Sequence, residues 1–402
     1  MGMFATTLRI LLLIPLLLGA AAPAAAVTID IASADGEQDG FNDPTPATPV
    51  GRNPGRTLGE QRRYVYQYAA DKWGLVLRGD VVIVVGAGFD NFGGSDAGGL
   101  LGFAQATTVH RDFPGAPREH TWYVAPLANQ FYGGDQNDLV PADCFVELVD
   151  GACPEIHSRF NSDVDFGVFG ERVFYYGVDG NGGDFDFDFL SVVLHEMAHG
   201  LGIFSLIDVP TGREFFGYDD AYTLHIKRPD RKPEEVSRMS NDQRQVTLVE
   251  DQKVVWSGLA AAAAARLFVT GGANKEFNVK MYTPGTFRPA SSVHHIDTHV
   301  EPNDLMEPFI TSPGPHDLSL TVAMLRDIGW QTRAMPDCGD ANTDGNISTP
   351  DALLTLRAAV GIGRCPAVIC DVNAPGGVAS SDALILLKKA VGQNVSLNCP
   401  AG

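Results

Sequence analysis

The amino-acid sequence predicts an α+β protein in which a large mixed domain is followed by a small all-α domain. The β-branched run at residues 81–85 is typical of a buried strand. Residues 190–202 carry apolar side chains at the spacing of a helix. Near the C-terminus, the helical pattern at 351–361 recurs at 382–392, an offset of 31 residues. The tail is therefore expected to contain a duplicated helical unit.

Residues 1–26 have the pattern of a secretion signal. Arg9 supplies a positive charge, residues 10–18 form a short apolar core, and the alanines at 24–26 suit cleavage. The apolar core is too short to span a bilayer, and no later segment resembles a transmembrane helix. We therefore expect an exported, extracellular protein with no membrane contact after cleavage. An uncleaved membrane anchor is the alternative.

The large domain is expected at residues 27–335 and the small domain at 336–402, with the boundary near Pro336. Thr57 followed by Glu60 predicts a capped helix that continues to Trp73. Residues 27–54 are rich in Gly, Pro, Asp and Asn and should be extended or looped. Two short strands are predicted, in order, at Thr121–Val124 and 173–176.

Charge and cysteine content restrict the partners and the compartment. A formal net charge of −20 argues against nucleic acid and anionic lipid as partners and suits a protein with oxygen-rich cation sites. Six cysteines in an exported chain favour disulfides over free thiols. Cys144 and Cys153 are close together and are expected to pair. The other four lie in the tail, where three connectivities are open: Cys338, Cys365, Cys370 and Cys399.

The run from Leu194 to Gly202 contains the HExxH pattern of zinc peptidases. Two histidines four residues apart on a helix, His195 and His199, point the same way and can bind one metal ion. Glu196 then lies beside the metal, where hydrolysis needs a general base. Acidic residues before the helix suit its N-terminus, and Gly200 and Gly202 suit its end. The alternative is a buried amphipathic helix with two incidental histidines.

A catalytic zinc ion needs a third protein ligand. Six residues after His199, where the compact metzincin motif has its third histidine, the chain has Ser205, which is a poor ligand. A carboxylate after the helix could serve instead, from Glu214, Asp219 or Asp220. The other candidates lie in the segment at 291–297, which includes His294 and His295.

At this point the chain resembles the leishmanolysin and gametolysin branch of the metzincins, in which a long insertion precedes the third histidine. It resembles still more closely a set of secreted bacterial proteins that share eight motifs with it. In this chain those motifs occupy residues 40–46, 160–162, 175–181, 195–202, 255–258, 294–297, 305–308 and 325–330. The resemblance covers nearly all of residues 40–330.

The resemblance implies an extracellular zinc endopeptidase acting on protein or peptide substrates, with one catalytic zinc ion and Glu196 as the base. Where the related proteins have Ser-His-Trp-Asp, this chain has His-His-Ile-Asp at residues 294–297. Alignment on Asp297 implies that His295 completes the site with His195 and His199. His294 and His299 are the alternatives.

Two further roles are expected around the metal. The resemblance implies that Met306 is the methionine of the turn beneath it, forming an apolar floor. Tyr218 and Tyr222 follow the metal helix and are open candidates for a second oxyanion donor.

The tail carries two loops with calcium-binding spacing, so one or two structural calcium ions are expected. Oxygen donors occupy the ligand positions of the first loop at Asp340, Asn342, Asp344, Asn346 and Asp351. The second loop offers Asp371, Asn373, Gly377 and Asp382. Pro375 stands where the second loop needs a ligand, so its site should be weaker or empty. Two such loops, each followed by one helix, resemble a type I dockerin, which implies a cohesin-like scaffold as partner.

Two other functions are alternatives to the endopeptidase interpretation. The chain could be a non-catalytic zinc- and calcium-binding adhesion or docking protein. It could also be a polysaccharide-degrading hydrolase that carries a dockerin. No carboxylate pair stands out for glycoside hydrolysis, in which HExxH has no role.

Overall fold

The computed structural model describes residues 25–96, 98–137, 153–183, 186–312, 314–373 and 376–400. Most of the predicted signal segment, Cys144 and Pro375 lie outside these ranges. Among the described helices, none combines the length and apolar character that crossing a bilayer requires.

Helices occur throughout the described residues. They are α1 (Leu58–Val76), α2 (Ala125–Tyr132), α3 (Phe189–Leu201), α4 (Asn241–Thr247), α5 (Leu259–Phe268), α6 (Ser319–Ile328), α7 (Thr349–Ala359), α8 (Ala367–Cys370) and α9 (Ser380–Ala390).

The strands precede residue 333. They are β1 (Ile29–Ser33), β2 (Leu77–Arg78), β3 (Ile83–Asp90), β4 (Gly102–Ala106), β5 (Val109–His110), β6 (Thr121–Val124), β7 (Ile156–Asn161), β8 (Phe174–Tyr175), β9 (Phe187–Asp188), β10 (Asp219–Asp220), β11 (Ile226–Lys227), β12 (Val255–Trp256), β13 (Val279–Lys280) and β14 (Gln331–Thr332).

A four-stranded sheet organises the large domain, with strand order β1-β3-β7-β4. β1, β3 and β7 are parallel, whereas β4 runs antiparallel to β7 and forms one edge. The centre of the sheet is apolar because Ile83, Val85 and Ile156 are fully buried in it. Smaller sheets form from β10-β6-β5, from β11-β12-β13 and from the pairs β14-β2 and β8-β9.

Helix α1 begins where the sequence predicts. The Thr57 side chain accepts from the Glu60 amide and the Glu60 carboxylate accepts from the Thr57 amide, which completes the predicted capping box. The helix continues to Val76, one turn beyond the predicted end at Trp73. It packs against β1 and α3. The Trp73 indole donates to the carbonyl of Leu194, 3.3 Å away, and so ties α1 to the middle of α3.

Helix α3 is almost wholly buried because its apolar face packs against β4, β7 and α1. Asp188 caps its N-terminus by accepting from the Ser191 amide at 2.9 Å. Gly202 ends it with a φ of +120°, which favours glycine. Gly200 does not end the helix as expected. It lies inside α3, where a Cβ would come within 2.5 Å of Ile156.

The described part of the tail contains α7, α8 and α9 and no strand. α7 and α9 are each eleven residues long, begin 31 residues apart and pack against one another. The predicted repeat is therefore a structural repeat. Its small core consists of Ala352, Val372 and Leu386.

The tail is also joined to the large domain. Val368 and Ile369 of α8 belong to the main hydrophobic core, and α8 contacts α1. Arg364 forms an ion pair with Asp71 of α1, and the Arg52 guanidinium donates to the Asn398 carbonyl at 2.9 Å. The boundary near Pro336 stays a prediction.

The structure selects one of the three tail connectivities: Cys338 is bonded to Cys399, and Cys365 to Cys370. The predicted pairing of Cys144 with Cys153 falls on residue 144, outside the described ranges.

Arg62 of α1 connects two of the segments that carry motifs in the sequence, residues 40–46 and 175–181, and also binds Asp165. Its buried guanidinium donates to the Gly40 carbonyl at 3.0 Å, to Asp165 at 2.8 Å and to the Tyr176 hydroxyl at 3.1 Å. It also lies 4.2 Å from the centre of the Phe89 ring. The buried Arg62 guanidinium thus holds the segments at residues 40–46 and 175–181 against α1.

Replacing this cation should be costly. Arg62→Met leaves the Asp165 side chain, which is only 10% exposed, with the Tyr176 hydroxyl but without its cationic partner, and breaking a buried ion pair costs about 3–5 kcal/mol. Arg63→Met is the matched control, because the neighbouring guanidinium is exposed and should contribute under about 1 kcal/mol. Urea unfolding of both variants measures the difference. Equal losses would show that Arg62 does not connect these segments.

Candidate metal centre

Three histidine rings converge at the base of a cleft. The Nε2 atoms of His195 and His199 are 3.1 Å apart, and the Nε2 atom of His295 lies 3.1 Å from the first and 3.2 Å from the second. His195 and His199 come from neighbouring turns of α3, and His295 comes from a loop 96 residues beyond His199. In the described part of the chain, this is the group of His, Cys, Asp or Glu side chains close enough together to hold one ion.

Each ring is oriented by a backbone carbonyl group. Nδ1 of His195 lies 2.7 Å from the Leu305 oxygen, Nδ1 of His199 lies 2.7 Å from the Ile203 oxygen, and Nδ1 of His295 lies 2.8 Å from the Ser291 oxygen. A carbonyl oxygen only accepts hydrogen bonds, so all three Nδ1 atoms carry the proton. All three Nε2 atoms therefore direct lone pairs toward a common point.

This arrangement fits a zinc ion. Nitrogen ligands about 2.0–2.1 Å from a tetrahedral zinc ion lie roughly 3.3–3.4 Å from one another. The observed separations of 3.1–3.2 Å are close to that value. Burial lowers the pKa of His195 to about 4 and holds the pKa values of His199 and His295 well below the usual range, so the rings are neutral ligands near pH 7. Three facing lone pairs repel one another unless a cation lies between them.

Glu196 lies beside the histidines and faces the edge strand. Its carboxylate accepts from the backbone amide of Ala104 in β4 at 2.9 Å. Burial raises the pKa of Glu196 to about 8, and a cation bound by the neighbouring histidines would lower that pKa again. The carboxyl group thus lies in the same cleft as the three histidines.

The cleft above the histidines has a volume of about 700 Å³. One wall is β4 with the glycine-rich segment before it, and the facing wall is formed by the segments around Ala290 and Phe309. Just before β4, the Leu101 carbonyl accepts from the Asn161 amide of β7 at 2.8 Å. The Ala104 amide instead donates to Glu196, away from β7. β4 is thus the terminal strand of its sheet, and Glu196 occupies the Ala104 amide on the outward side of this edge.

His294 and His295 occupy different environments. The His294 ring stacks on Phe204, with the ring centres 4.2 Å apart and the planes 4° from parallel, and its Nδ1 accepts from the Ser205 amide at 3.2 Å. His299 is 61% exposed and bonded to Asp297. The geometry thus places His295 with the other two histidines, in the register that the Asp297 alignment implies.

The carboxylates considered as third ligands are engaged elsewhere. Glu214 pairs with Arg244 at 2.8 Å. Asp219 lies 3.8 Å from Arg118. Asp220 accepts from Thr223 and Leu206. None of the three lines the cleft or joins the histidine group.

Three other expected residues are placed as follows. Tyr222 is buried and donates to the Val293 carbonyl at 2.8 Å, and Tyr218 lies under the Arg111 guanidinium. Neither tyrosine is among the residues that line the cleft, so an oxyanion-donor role for either stays a prediction. Met306 is fully buried, and its carbonyl accepts from the Ile296 amide at 2.8 Å, directly beside the third histidine.

The first predicted calcium loop is closed by its own hydrogen bonds. Asp340 accepts from the amides of Asp344 and Gly345, and Asp351 accepts from the amides of Asn342 and Ser348. Within the described ranges, the loop's carboxylates do not converge on a point in the way that the histidines do. The remaining predicted ligand, Asn346, donates its amide to Asp344.

The second loop repeats part of this pattern. Asp382 accepts from the amides of Val372 and Ala379, and Asp371 accepts from Gly377. Asn373 is described, but the two residues after it are not.

Several residues that shape the centre cannot be recognised from the sequence. The carbonyls of Leu305, Ile203 and Ser291 act through the backbone, which any residue supplies. Ala104 contributes an amide, and its glycine-rich surroundings show no alternation typical of a strand.

Comparison of the chain with models of known protein families, with curated proteins and with solved structures gives no significant match. The assignment of the centre therefore depends on its own residues and their geometry.

The two adjacent histidines should differ in their effect on zinc. His295→Ala removes one of three converging nitrogens and should abolish stoichiometric zinc binding, whereas His294→Ala should still bind one zinc ion at saturation. Metal analysis after dialysis against zinc buffers measures the difference. The opposite pattern would place the ligand one residue earlier. Loss of zinc in Asp220→Ala, but in neither histidine variant, would assign the third position to a carboxylate.

Proposed function

We propose that this protein is a secreted zinc-dependent endopeptidase. The observation that carries the proposal is the convergence of three neutral imidazoles in a cleft that is also lined by one glutamate and by the edge strand β4. That combination suits hydrolysis of an amide bond, which requires an activated water molecule, a proton acceptor and a site for an extended chain.

The roles of the residues follow from their positions. His195, His199 and His295 would hold the zinc ion, which supplies Lewis-acid activation of water and of the scissile carbonyl. Glu196 accepts a proton from the attacking water and passes it to the leaving amine. The Ala104 amide keeps the Glu196 carboxylate at the mouth of the centre.

A peptide is the substrate that the edge strand β4 favours. An extended chain can add to an exposed strand through main-chain hydrogen bonds, and this mode needs no particular side chain. Gly102 and Ala104 of this edge line the cleft, and because the Ala104 amide holds Glu196, the outward-facing main chain of Gly102 is the group that would pair with a substrate. Polysaccharides have no main-chain amides with which to extend a sheet, which disfavours them as substrates.

The tail is proposed to be a calcium-stabilised docking module for a cohesin-like scaffold. Its two helices and the residue that follows each helix expose matching apolar side chains at three positions, and the members of each pair are 31 residues apart. Their exposed fractions range from 41% to 63%, for Leu353, Leu384, Leu356, Leu387, Val360 and Val391. Calcium at the loops would fix the start of each helix and therefore the direction in which these side chains point.

Export remains part of the proposal because it depends on the pattern at residues 1–26. Paired cysteines in the tail agree with an oxidising compartment.

Glu196→Gln should retain zinc but lose proteolysis by about a hundredfold or more, because the amide cannot accept the proton. Casein cleavage and zinc content, measured on the same preparation, test this. Glu276→Gln makes the same change at an exposed carboxyl and should behave as wild type. Unchanged turnover of Glu196→Gln at full zinc occupancy would overturn the mechanism. A wild type that binds zinc without cleaving any protein substrate would favour the binding-protein alternative.

Calcium should bind the first loop more tightly than the second, because Pro375 leaves the second loop one ligand short. Titration of the zinc-loaded full chain by calorimetry should show the tighter event lost in Asp344→Ala and nearly unchanged in Asp371→Ala. A chelator should lower the melting temperature of the wild type. Equal loss in both variants, or no calcium binding by the wild type, would remove the dockerin-like assignment.

A further inference from the structure

The His294 ring is buried in a separate environment next to the metal centre. Its side chain is 7% exposed, stacked in parallel on Phe204, and bonded through Nδ1 to the Ser205 amide. Because Nδ1 accepts that hydrogen bond, the neutral ring carries its proton on Nε2.

The partners of His294 belong to the segment that leaves α3. Ile203, Phe204 and Ser205 follow the helix directly, and the Ile203 carbonyl is the group that orients His199. The Ser205 hydroxyl is bonded to Thr223 at 2.8 Å, which anchors the far side of the segment. A shift of this segment would therefore move the acceptor of one of the three metal-facing rings.

The loop that carries the third histidine is held separately. Val293 has a left-handed φ of +76°, which is unfavourable for a β-branched residue. Its amide donates to the Tyr282 carbonyl at 2.8 Å, and its own carbonyl accepts from Tyr222. This bend turns His294 toward Phe204 and His295 toward the other two histidines.

We propose that His294 is a positioning residue that locks the loop of the third ligand to the exit segment of α3. The lock has two parts, the ring stack on Phe204 and the hydrogen bond from Ser205. It fixes the Ile203 carbonyl that orients His199. It also prevents a one-residue shift of the loop, which would bring His294 rather than His295 to the metal centre. The inference depends on the metal centre but not on the peptidase activity.

Removing the His294 side chain should weaken zinc binding. At saturating zinc, His294→Ala still binds one ion, but its zinc dissociation constant should rise roughly tenfold, the lower end of the effect of groups that orient metal ligands. The absorption spectrum of the cobalt-substituted variant should also change, because the orientation of the His199 ring is no longer fixed. Neither readout depends on proteolysis.

Three further variants separate positioning from general stability. His294→Asn keeps an acceptor for the Ser205 amide, and His294→Phe keeps the ring stack. Each should recover part of the lost affinity. His299→Ala alters an exposed histidine in the same loop and should match wild type in affinity and spectrum. The thermal midpoint of each metal-free variant is measured in parallel.

A wild-type dissociation constant and cobalt spectrum in His294→Ala would overturn the proposal while leaving the metal centre intact. A weaker affinity with an unchanged spectrum and a lower metal-free midpoint would also overturn it, because the residue would then act through stability alone. If the alanine variant does not fold, wild-type affinity in both the asparagine and phenylalanine variants has the same meaning. Full zinc binding by His295→Ala would instead disprove the metal centre.

Discussion

The geometry of the centre depends on three hydrogen bonds from imidazole Nδ1 atoms to backbone carbonyls. The acceptors lie in three different segments: the exit of α3 at Ile203, the turn at Leu305 and the loop at Ser291. Because each bond fixes both the tautomer and the direction of its ring, the three Nε2 lone pairs converge only if all three segments are in place. The surrounding fold is organised to hold those carbonyls. Trp330, for example, donates to the Leu201 carbonyl at 2.9 Å and fixes the end of α3.

Local sequence rules predict the metal-centre residues on α3 but not the residues that come from distant segments. His195, Glu196 and His199 lie within two turns of one helix, so their common face follows from helical periodicity. His295 is almost a hundred residues away, and no local rule brings it near. Its selection over His294 came from an alignment with related motifs, and the structure supplies a physical reason in the stack on Phe204. The carbonyl acceptors leave no trace in the sequence because every residue has one.

Elements with strong local signals were predicted well, including the strand at Thr121–Val124, whereas β1 and β4, which depend on tertiary pairing, were not. The capping box at Thr57 and the repeated tail helices depend on residues close in sequence. β1 lies in a stretch expected only to be extended or looped, yet it pairs with β3 in the central sheet. β4 contains glycine and small residues and is a strand because β7 pairs with it. The strand that borders the cleft thus forms because it pairs with β7 rather than because of its intrinsic β-propensity.

The packing of α8 on α1 determines how an anchored molecule would be presented. A module tethered by a flexible linker lets an enzyme swing freely around its anchor point. Here Val368 and Ile369 are part of the main core, so the tail and the large domain share apolar packing rather than a loose connection. A chain captured through the exposed faces of α7 and α9 would hold its cleft at a set angle to the scaffold. If the proposed peptidase and docking activities hold, the molecule would reach only substrates that approach from one side, and orientation would contribute to its selectivity.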